Sequence, residues 1–213
     1  MEDAKAAPKP TRARNRRGEG ARLREEIVTA AVALLDETGD ESAVTLRAVA
    51  RQAGIAAPSI YRHFPDQPSI MLAVVQQAFA ELEARLRTAR DAAPQHPQAR
   101  LTTVCTAYLD FAQQHPGRYR TMFGGLWMPD LANSALTESD MTDLGQAAMH
   151  LLAEALADCV TTGLSTSTDP AADAVALWLG LHGLAHQRAV TVVFPGPADI
   201  ADRMITALAH LRG

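Results

Sequence analysis

The spacing of apolar residues is the feature that most restricts how this chain can fold. Near the start, Leu23, Ile27, Ala30, Ala31 and Leu34 recur every three or four positions. Such spacing places them on one face of a helix. Similar stripes follow along the chain, and no segment shows the strict alternation of apolar and polar residues that indicates a half-buried strand. The pattern predicts an all-α protein of about nine helices without internal repeats.

Capping and breaking residues predict where these helices begin and end. Gly39 suits the left-handed position after the first helix, and Thr45 is a good N-cap for a short second helix. Asp66 can cap a longer fourth helix that runs to about Arg90. The other helices are expected at about 57–63, 101–112, 119–123, 141–163, 170–194 and 200–211, with an irregular stretch over Gly124–Ser139.

The segment Thr45–Phe64 has the pattern of a helix-turn-helix. Two short helices meet at Gly54, where a residue with positive φ makes a tight corner. Val49, Ile55 and Ile60 are apolar where the two helices face each other, which leaves polar and aromatic residues for the outer face. A helix that enters the major groove requires such an outer face, whereas a corner inside a helical bundle does not. The pattern therefore favours DNA binding over the alternative of a buried helical corner.

The charge of the chain is distributed unevenly. The average is acidic, with a net charge of −4 and a pI near 6.0. Residues 1–65 nevertheless carry 11 Lys and Arg against 9 Asp and Glu, whereas residues 66–213 carry 9 against 15. Segment 1–18 is rich in Pro, Arg and Ala and is expected to be a disordered basic arm. Charge alone leaves open whether this arm contacts nucleic acid or only keeps the chain soluble.

The segment with the predicted helix-turn-helix reads TLRAVARQAGIAAPSIYRHFPDQPSIMLAV and follows a helix rich in Ala and Leu. Together these segments resemble the DNA-binding domain of TetR-type transcription regulators over about residues 20–75. Further along, the run YLDFAQQHPGRYRTMF and the element WLGLHG, which contains Trp178 and His182, resemble one Trp-His-Gly type subclass of TetR C-terminal domains.

The resemblance implies a homodimer in which different helices of each chain have different functions. The first three helices would form the DNA-binding head, the middle helices would enclose a small-molecule pocket, and the last two would build the dimer interface. Ligand binding would tilt the fourth helix and spread the heads, so that they release the operator. The chain is accordingly divided into a disordered basic arm at 1–18, a helix-turn-helix domain at 19–65 and a helical ligand-binding and dimerisation domain at 66–213.

Two positions depart from the usual TetR pattern. Ala56 stands where many members have Ser or Thr, so the third helix lacks that side-chain cap. Gln67 stands where a lysine often opens the fourth helix and contacts a phosphate. With that charged contact absent, the affinity for DNA is expected to depend more on the basic arm.

Side-chain chemistry assigns roles to the outer residues of the helix-turn-helix. Hydroxyl and imidazole groups suit phosphate oxygens, whereas Arg and Ser can hydrogen-bond to base edges and an Ala methyl can contact thymine. The candidate contacts are Thr45, Arg47, Tyr61 and His63 to the backbone, and Ala57, Ser59 and Arg62 to the bases. The alternatives are that Tyr61 belongs mainly to the core and that Arg62 is simply solvated.

The second part of the chain offers residues that suit a ligand cavity, because such sites are mostly hydrophobic with few polar anchors. The candidates are Tyr108, Phe111, Met122, Phe123, Trp127, Met149, Trp178 and His182. Ordinary core packing is the alternative for any one of them. Trp127 is the first choice because it adjoins the irregular stretch, and loops near a cavity can gate it.

Several other classes of protein are disfavoured. His182 and His186 lie four positions apart on one helix face, but no third ligand accompanies them, so no metal is expected. Cys105 and Cys159 fall on apolar stripes and are expected to be buried. No phosphate-binding glycine loop or pair of catalytic carboxylates is present, so neither an enzyme nor a cofactor is expected. No apolar stretch is long enough to cross a bilayer, and a cytoplasmic protein is expected.

Small residues on the helix predicted over about 170–194 indicate a dimer face, because they allow a partner helix to approach closely. These residues are Gly180, Gly183, Ala185 and Ala189. The leading hypothesis is thus a repressor that binds a palindromic double-stranded DNA operator as a homodimer and is released by a small, largely apolar ligand. Two alternatives stay open: a DNA-binding dimer that ignores ligands, and a helical small-molecule-binding protein or enzyme.

Overall fold

The computed structural model describes residues 19–124, 129–190 and 196–212, and its regular elements are helices. The prediction of an all-α fold is confirmed for this part of the chain, where the only β-type pairing is an isolated bridge between Ser165 and Leu211. The helices are α1 (Glu19–Thr38), α2 (Leu46–Gln52), α3 (Ala57–Ile60), α4 (Gln67–Ala92), α5 (Pro97–Gln114), α6 (Pro116–Phe123), α7 (Glu138–Thr142), α8 (Gln146–Thr161), α9 (Pro170–Val190) and α10 (Ile200–Leu208). Single 3-10 turns occupy Glu41–Ala43 and Leu131–Asn133.

The helix caps follow the predicted residues. The Thr45 hydroxyl accepts a hydrogen bond from the Ala48 N–H at 3.2 Å, and an Asp66 carboxylate oxygen accepts one from the Ser69 N–H at 2.8 Å. Gly39 ends α1 with a φ of +62°. The third helix is shorter than predicted, since α3 ends at Ile60 and continues only as a turn, and Ala56 provides no side-chain cap.

The single helix predicted over residues 141–163 is wrong, because Gly145 divides it into α7 and α8. Gly145 has a φ of +78°, which side chains other than Gly rarely adopt. A Cβ atom there would lie 2.7 Å from Cε1 of Phe79 on α4. The apolar spacing continues across this break, so periodicity alone could not reveal it.

The predicted last helix is also shorter than expected. It ends at Leu208, and Leu211 lies beyond it, because His210 takes a φ of +50°. The chain then pairs with the loop between α8 and α9: the Thr166 N–H donates to the His210 carbonyl and the Arg212 N–H donates to the Leu164 carbonyl, each at 2.9 Å. These bonds hold the end of α10 against the start of α9.

Two apolar cores share α4, one at its start and one further along the helix. One contains buried residues of α1, α2 and α3 together with Ile70 and Val74 from the start of α4. The other contains Leu82 and Leu86 from later in α4, together with residues of α5, α8, α9 and α10. We call the first group the head and the second the body. Because α4 contributes side chains to both cores, a shift of this helix changes the packing of both.

Two further sequence expectations concern burial and membrane insertion. Cys105 and Cys159 are buried free thiols, as predicted, and burial raises the pKa of Cys159 to about 11. A thiol of this kind is a packing residue, because the reactive thiolate is not populated near neutral pH. None of the described helices is long and apolar enough to span a membrane.

Candidate DNA-binding surface and ligand cavity

The helix-turn-helix is held together by a small apolar interface between α2 and α3. Val49 and Ile60 are fully buried in it, and Ile55 is partly buried against the same core. Gly54 takes a φ of +66° at the corner, and the Ile55 N–H then donates to the Ala50 carbonyl at 2.9 Å. This inner face fixes the direction in which the outer face of α3 points.

Most of the predicted DNA contacts are exposed in the helix-turn-helix. Five of them are exposed, and two, Ser59 and His63, are partly buried. Tyr61 is 50% exposed, so it does not belong to the core. The Thr45 oxygen already caps α2, and its hydroxyl proton stays available to a phosphate oxygen. The exposed members are Thr45, Arg47, Ala57, Tyr61 and Arg62.

The electrostatics around His63 are positive. Partial burial of the ring lowers its pKa, and the nearby guanidinium groups of Arg62 and Arg24 lower it further. The imidazole is therefore neutral at pH 7, with one N–H to donate. Arg24 also lies over the Phe64 ring, 4.8 Å from its centroid. Arg24 is not among the contacts predicted from the sequence, because its position near His63 depends on how α1 packs.

Gln67 has a structural partner in the head. Its amide donates to the backbone carbonyl of Glu41 at 3.4 Å, in the turn between α1 and α2. The Gln67 side chain thus links the start of α4 to the turn between α1 and α2. This hydrogen bond by itself explains why a polar residue occupies position 67.

A cavity of about 930 Å³ lies in the body between α4, α5, α8 and α9. Four of the candidate ligand residues line it: Tyr108, Phe123, Met149 and Trp178. Phe111, Met122 and His182 are not among the lining residues: Phe111 is fully buried in the body core, and Met122 packs against that core. Trp127 lies outside the described residues.

Most of the remaining lining residues are apolar, and the sequence did not single them out as ligand contacts. The largest share comes from α8, with further contributions from α4, α9 and α5, and they include Phe79, Leu82, Leu86, Val104, Leu152 and Leu181. Helical spacing identified such positions only as inward-facing. A residue that lines a cavity and one that fills a core have the same pattern, so no signal in one sequence separates them.

A chain of hydrogen bonds leads from the cavity wall to α9. The hydroxyl oxygens of Tyr108 and Tyr119 lie 3.0 Å apart, and the Tyr119 oxygen lies 2.7 Å from Nδ1 of His182. Burial raises the pKa of Tyr119 to about 12, and it raises the pKa of Tyr108 further. Burial and the neighbouring His186 lower the pKa of His182. All three groups are therefore neutral near pH 7.

Helix α6 joins the head to the body. The Arg118 guanidinium donates to Asp36 on α1 at 2.6 Å and also to Glu81 on α4, and Arg120 donates to the Gly39 carbonyl at 2.7 Å. On the same helix, Phe123 lines the cavity. One short helix therefore carries both a wall of the cavity and the bonds to the end of α1.

Helix α9 exposes apolar side chains on one side. Leu179 is 54% exposed, and Val175, one turn earlier, is 44% exposed and also lines the cavity. Not all the small residues proposed for a dimer face belong with them: a Cβ on Gly180 would lie 2.6 Å from Cδ1 of Leu208, so Gly180 packs against α10 of the same chain. Gly183, in contrast, has open space around it.

Metal binding finds no support in the described ranges, where no cluster of three or more His, Cys, Asp or Glu side chains is present. His182 and His186 thus have no third ligand there. The hydrogen bond between His182 and Tyr119 gives that ring a different role, which is to anchor the polar chain next to the cavity.

Comparisons with known proteins agree with this arrangement. The family model for bacterial regulatory proteins, tetR family, matches residues 27–74, and that for the tetracyclin repressor-like C-terminal domain matches residues 101–208. A protein of unknown function from Rhodococcus sp. RHA1 is 26% identical, with a TM-score of 0.70 over 88% of this chain and 91% of its own.

Two further solved structures share the fold at lower identity. The fatty acid degradation regulator FadR from Bacillus halodurans is 15% identical, with a TM-score of 0.66 over 87% of this chain and 94% of its own. The TetR family transcriptional regulator PfmR from Thermus thermophilus is 19% identical, with a TM-score of 0.59 over 88% and 99% of the two chains.

Proposed function

Because this chain belongs to the tetR family of bacterial transcription regulators, we propose that it is a repressor that binds a palindromic operator as a homodimer and is released by a small apolar effector. It is a regulator and not an enzyme, as its family shows. The observation that carries the proposal is that α4 and α6 connect an exposed helix-turn-helix surface, which includes Tyr61 and Arg62, to a mainly apolar cavity in the same chain. The protein is expected to act in the cytoplasm, where its operator is.

Dimerisation places two heads on one duplex. The exposed Leu179, with open space one turn away at Gly183, supports α9 as the contact between two copies. Two heads that reach successive major grooves need a separation of about 34–36 Å, which corresponds to one helical turn of DNA. The operator is therefore expected to have two inverted half-sites with this spacing.

The direct test is the selection of duplexes from a randomised pool, followed by affinity measurements on the selected sequence. The Arg62→Ala variant is expected to bind about 10–100-fold more weakly and to relax the preference at one base pair of each half-site, because Arg can hold guanine through two hydrogen bonds. Arg203→Ala is the matched control, since Arg203 is an exposed arginine on α10 that pairs with Asp199. Failure to enrich any inverted repeat contradicts the proposal.

The basic arm makes a second, separable contribution to binding. Deletion of residues 1–18 is expected to weaken operator binding and to flatten its dependence on salt, because each phosphate contact adds about 0.9 to the slope of log affinity against log salt. A variant with the Lys and Arg of residues 1–18 changed to Gln controls for the length of the segment. Unchanged affinity and slope in both variants indicate that the segment only aids solubility.

Release is proposed to pass through Arg118. The Arg118→Ala variant is expected to bind the fluorescent probe N-phenyl-1-naphthylamine within about twofold of the normal affinity, since Arg118 does not line the cavity. In the unaltered protein the probe is expected to weaken operator binding by a certain factor, and in Arg118→Ala this factor is expected to be at least about fivefold smaller. The reason is that the coupling between ligand and operator, typically about 1–3 kcal/mol, depends on contacts that differ between the DNA-bound and the released state.

The control for this prediction is Arg87→Ala. Arg87 pairs with Glu83 within α4, so this ion pair does not connect the head to the body. The variant tests whether the loss of any arginine on the outer side of the molecule has the same effect. Equal release factors for Arg118→Ala and the unaltered protein show that coupling follows another route.

A further inference from the structure

The charged groups around the cavity favour one class of effector. Among the described residues that line it, none is Lys or Arg. The lining includes Asp143 and His150, both exposed, and Nε2 of His150 lies 3.1 Å from a carboxylate oxygen of Glu154. An anionic group inside the cavity would lose its hydration without gaining a cationic partner.

Tyr108 gives this apolar wall a buried polar group. Its side chain is only 4% exposed, and it lines the cavity next to Trp178. The Tyr108 hydroxyl belongs to the hydrogen-bonded chain through Tyr119 to His182. The hydroxyl is therefore held in place by Tyr119.

The protons of this chain have two consistent arrangements, since each hydroxyl has one proton and a neutral imidazole has one ring N–H. In the first, Tyr108 donates to Tyr119, Tyr119 donates to Nδ1 of His182, and the ring proton lies on Nε2. In the second, Nδ1–H of His182 donates to Tyr119 and Tyr119 donates to Tyr108. The Tyr108 proton is then available to a group in the cavity, and the number of protons is unchanged.

We propose that the effector is an uncharged molecule with a hydrogen-bond acceptor, such as a ketone or ester carbonyl, that receives the hydroxyl proton of Tyr108. This inference rests on the proposed function and narrows it to one chemical class. Binding of the acceptor selects the second arrangement: the hydroxyl protons of Tyr108 and Tyr119 rotate, and His182 exchanges its ring proton with solvent from Nε2 to Nδ1. The tautomer of His182, which lies on α9 and does not line the cavity, thus indicates whether the bound molecule has an acceptor.

The test uses three probes with the same ring system. Displacement of N-phenyl-1-naphthylamine from the full-length protein at pH 7.5 is measured for 2-acetonaphthone, 2-ethylnaphthalene and 2-naphthoate, which differ in one substituent. The ketone is expected to bind about 3–10-fold more tightly than the hydrocarbon, the size of one net hydrogen bond. The carboxylate is expected to bind at least about 10-fold more weakly than the hydrocarbon, because it loses its hydration.

Two variants assign the preference to Tyr108. In Tyr108→Phe the ketone and the hydrocarbon are expected to bind equally, while Thr106→Val, which removes an exposed hydroxyl from the same helix, retains the full difference. In ¹⁵N spectra of the unaltered protein, the ring of His182 is expected to change from the Nε2–H to the Nδ1–H form with the ketone and not with the hydrocarbon. The spectra and the ranking need no variant, so they decide the matter even if Tyr108→Phe does not fold.

The possible failures are distinct. Tight binding of 2-naphthoate, or equal binding of the ketone and the hydrocarbon to the unaltered protein, overturns the inference. If the probes nevertheless weaken operator binding, the proposed ligand-released repressor still stands. If N-phenyl-1-naphthylamine does not bind, or no probe affects operator binding, both the inference and the proposed ligand response fail.

Discussion

Replacement of Ile60 by Ala is expected to lower the free energy of unfolding of the head by about 2–4 kcal/mol, because it removes a fully buried side chain and leaves a cavity between α2 and α3. Operator affinity is expected to fall by at least an order of magnitude, since DNA binding must then refold the helix-turn-helix. Binding of N-phenyl-1-naphthylamine in the body is expected to be almost unchanged. The reason is that Ile60 belongs to the core of the head and not to that of the body.

Amide hydrogen exchange locates this effect. Protection is expected to fall in α1, α2 and α3 and to persist in α5, α8 and α9, because separately packed units open separately. Ile55→Ala is the matched control, since the same type of side chain is only partly buried in the same head. A uniform loss of protection through both cores is the contrary result, and it means that the shared α4 makes them unfold as one.

The second large effect is expected at Gly145. Replacement by Ala forces a side chain into a left-handed conformation with a φ of +78° and places its Cβ 2.7 Å from Phe79. The first effect costs about 1–2 kcal/mol, and crowding in a packed wall typically adds about 1–3 kcal/mol. Because Phe79 and Gly145 both line the cavity, the affinity for N-phenyl-1-naphthylamine is expected to fall together with stability.

Gly163→Ala separates these two contributions. Gly163 has a φ of +74°, and an added Cβ there meets no atom within 4 Å. This variant should therefore show only the backbone effect and keep its affinity for the probe. Denaturant titration gives the difference in stability between the two variants, and that difference measures the contact with Phe79. Equal losses in both indicate that Phe79 moves aside without cost.

The sequence was most informative where structure depends on neighbours along the chain. The caps at Thr45 and Asp66 and the left-handed Gly39 and Gly54 all lie where they were predicted. A side chain that bonds to a backbone group three residues away needs no information about the rest of the fold. The apolar inner face of the helix-turn-helix was visible for the same reason, because its residues lie within a few helical turns of each other.

The ligand site was predictable only in part. Tyr108, Phe123, Met149 and Trp178 were selected as aromatic or flexible apolar residues and do line the cavity, whereas Phe111 has the same chemistry and fills the core. Residue type indicates that a side chain is turned inward, but not whether space lies beside it. That depends on the separation of helices whose contacts come from distant parts of the chain.

By itself, the sequence determined the all-α class, most helix ends and the helix-turn-helix, because hydrophobic periodicity and capping act over a few residues. The tertiary structure alone decided the break at Gly145, the cavity, and the links from Arg118 to Asp36 and from Tyr119 to His182. These pairs lie 82 and 63 residues apart along the chain. Their meeting depends on the packing of whole helices against one another, which local patterns do not encode.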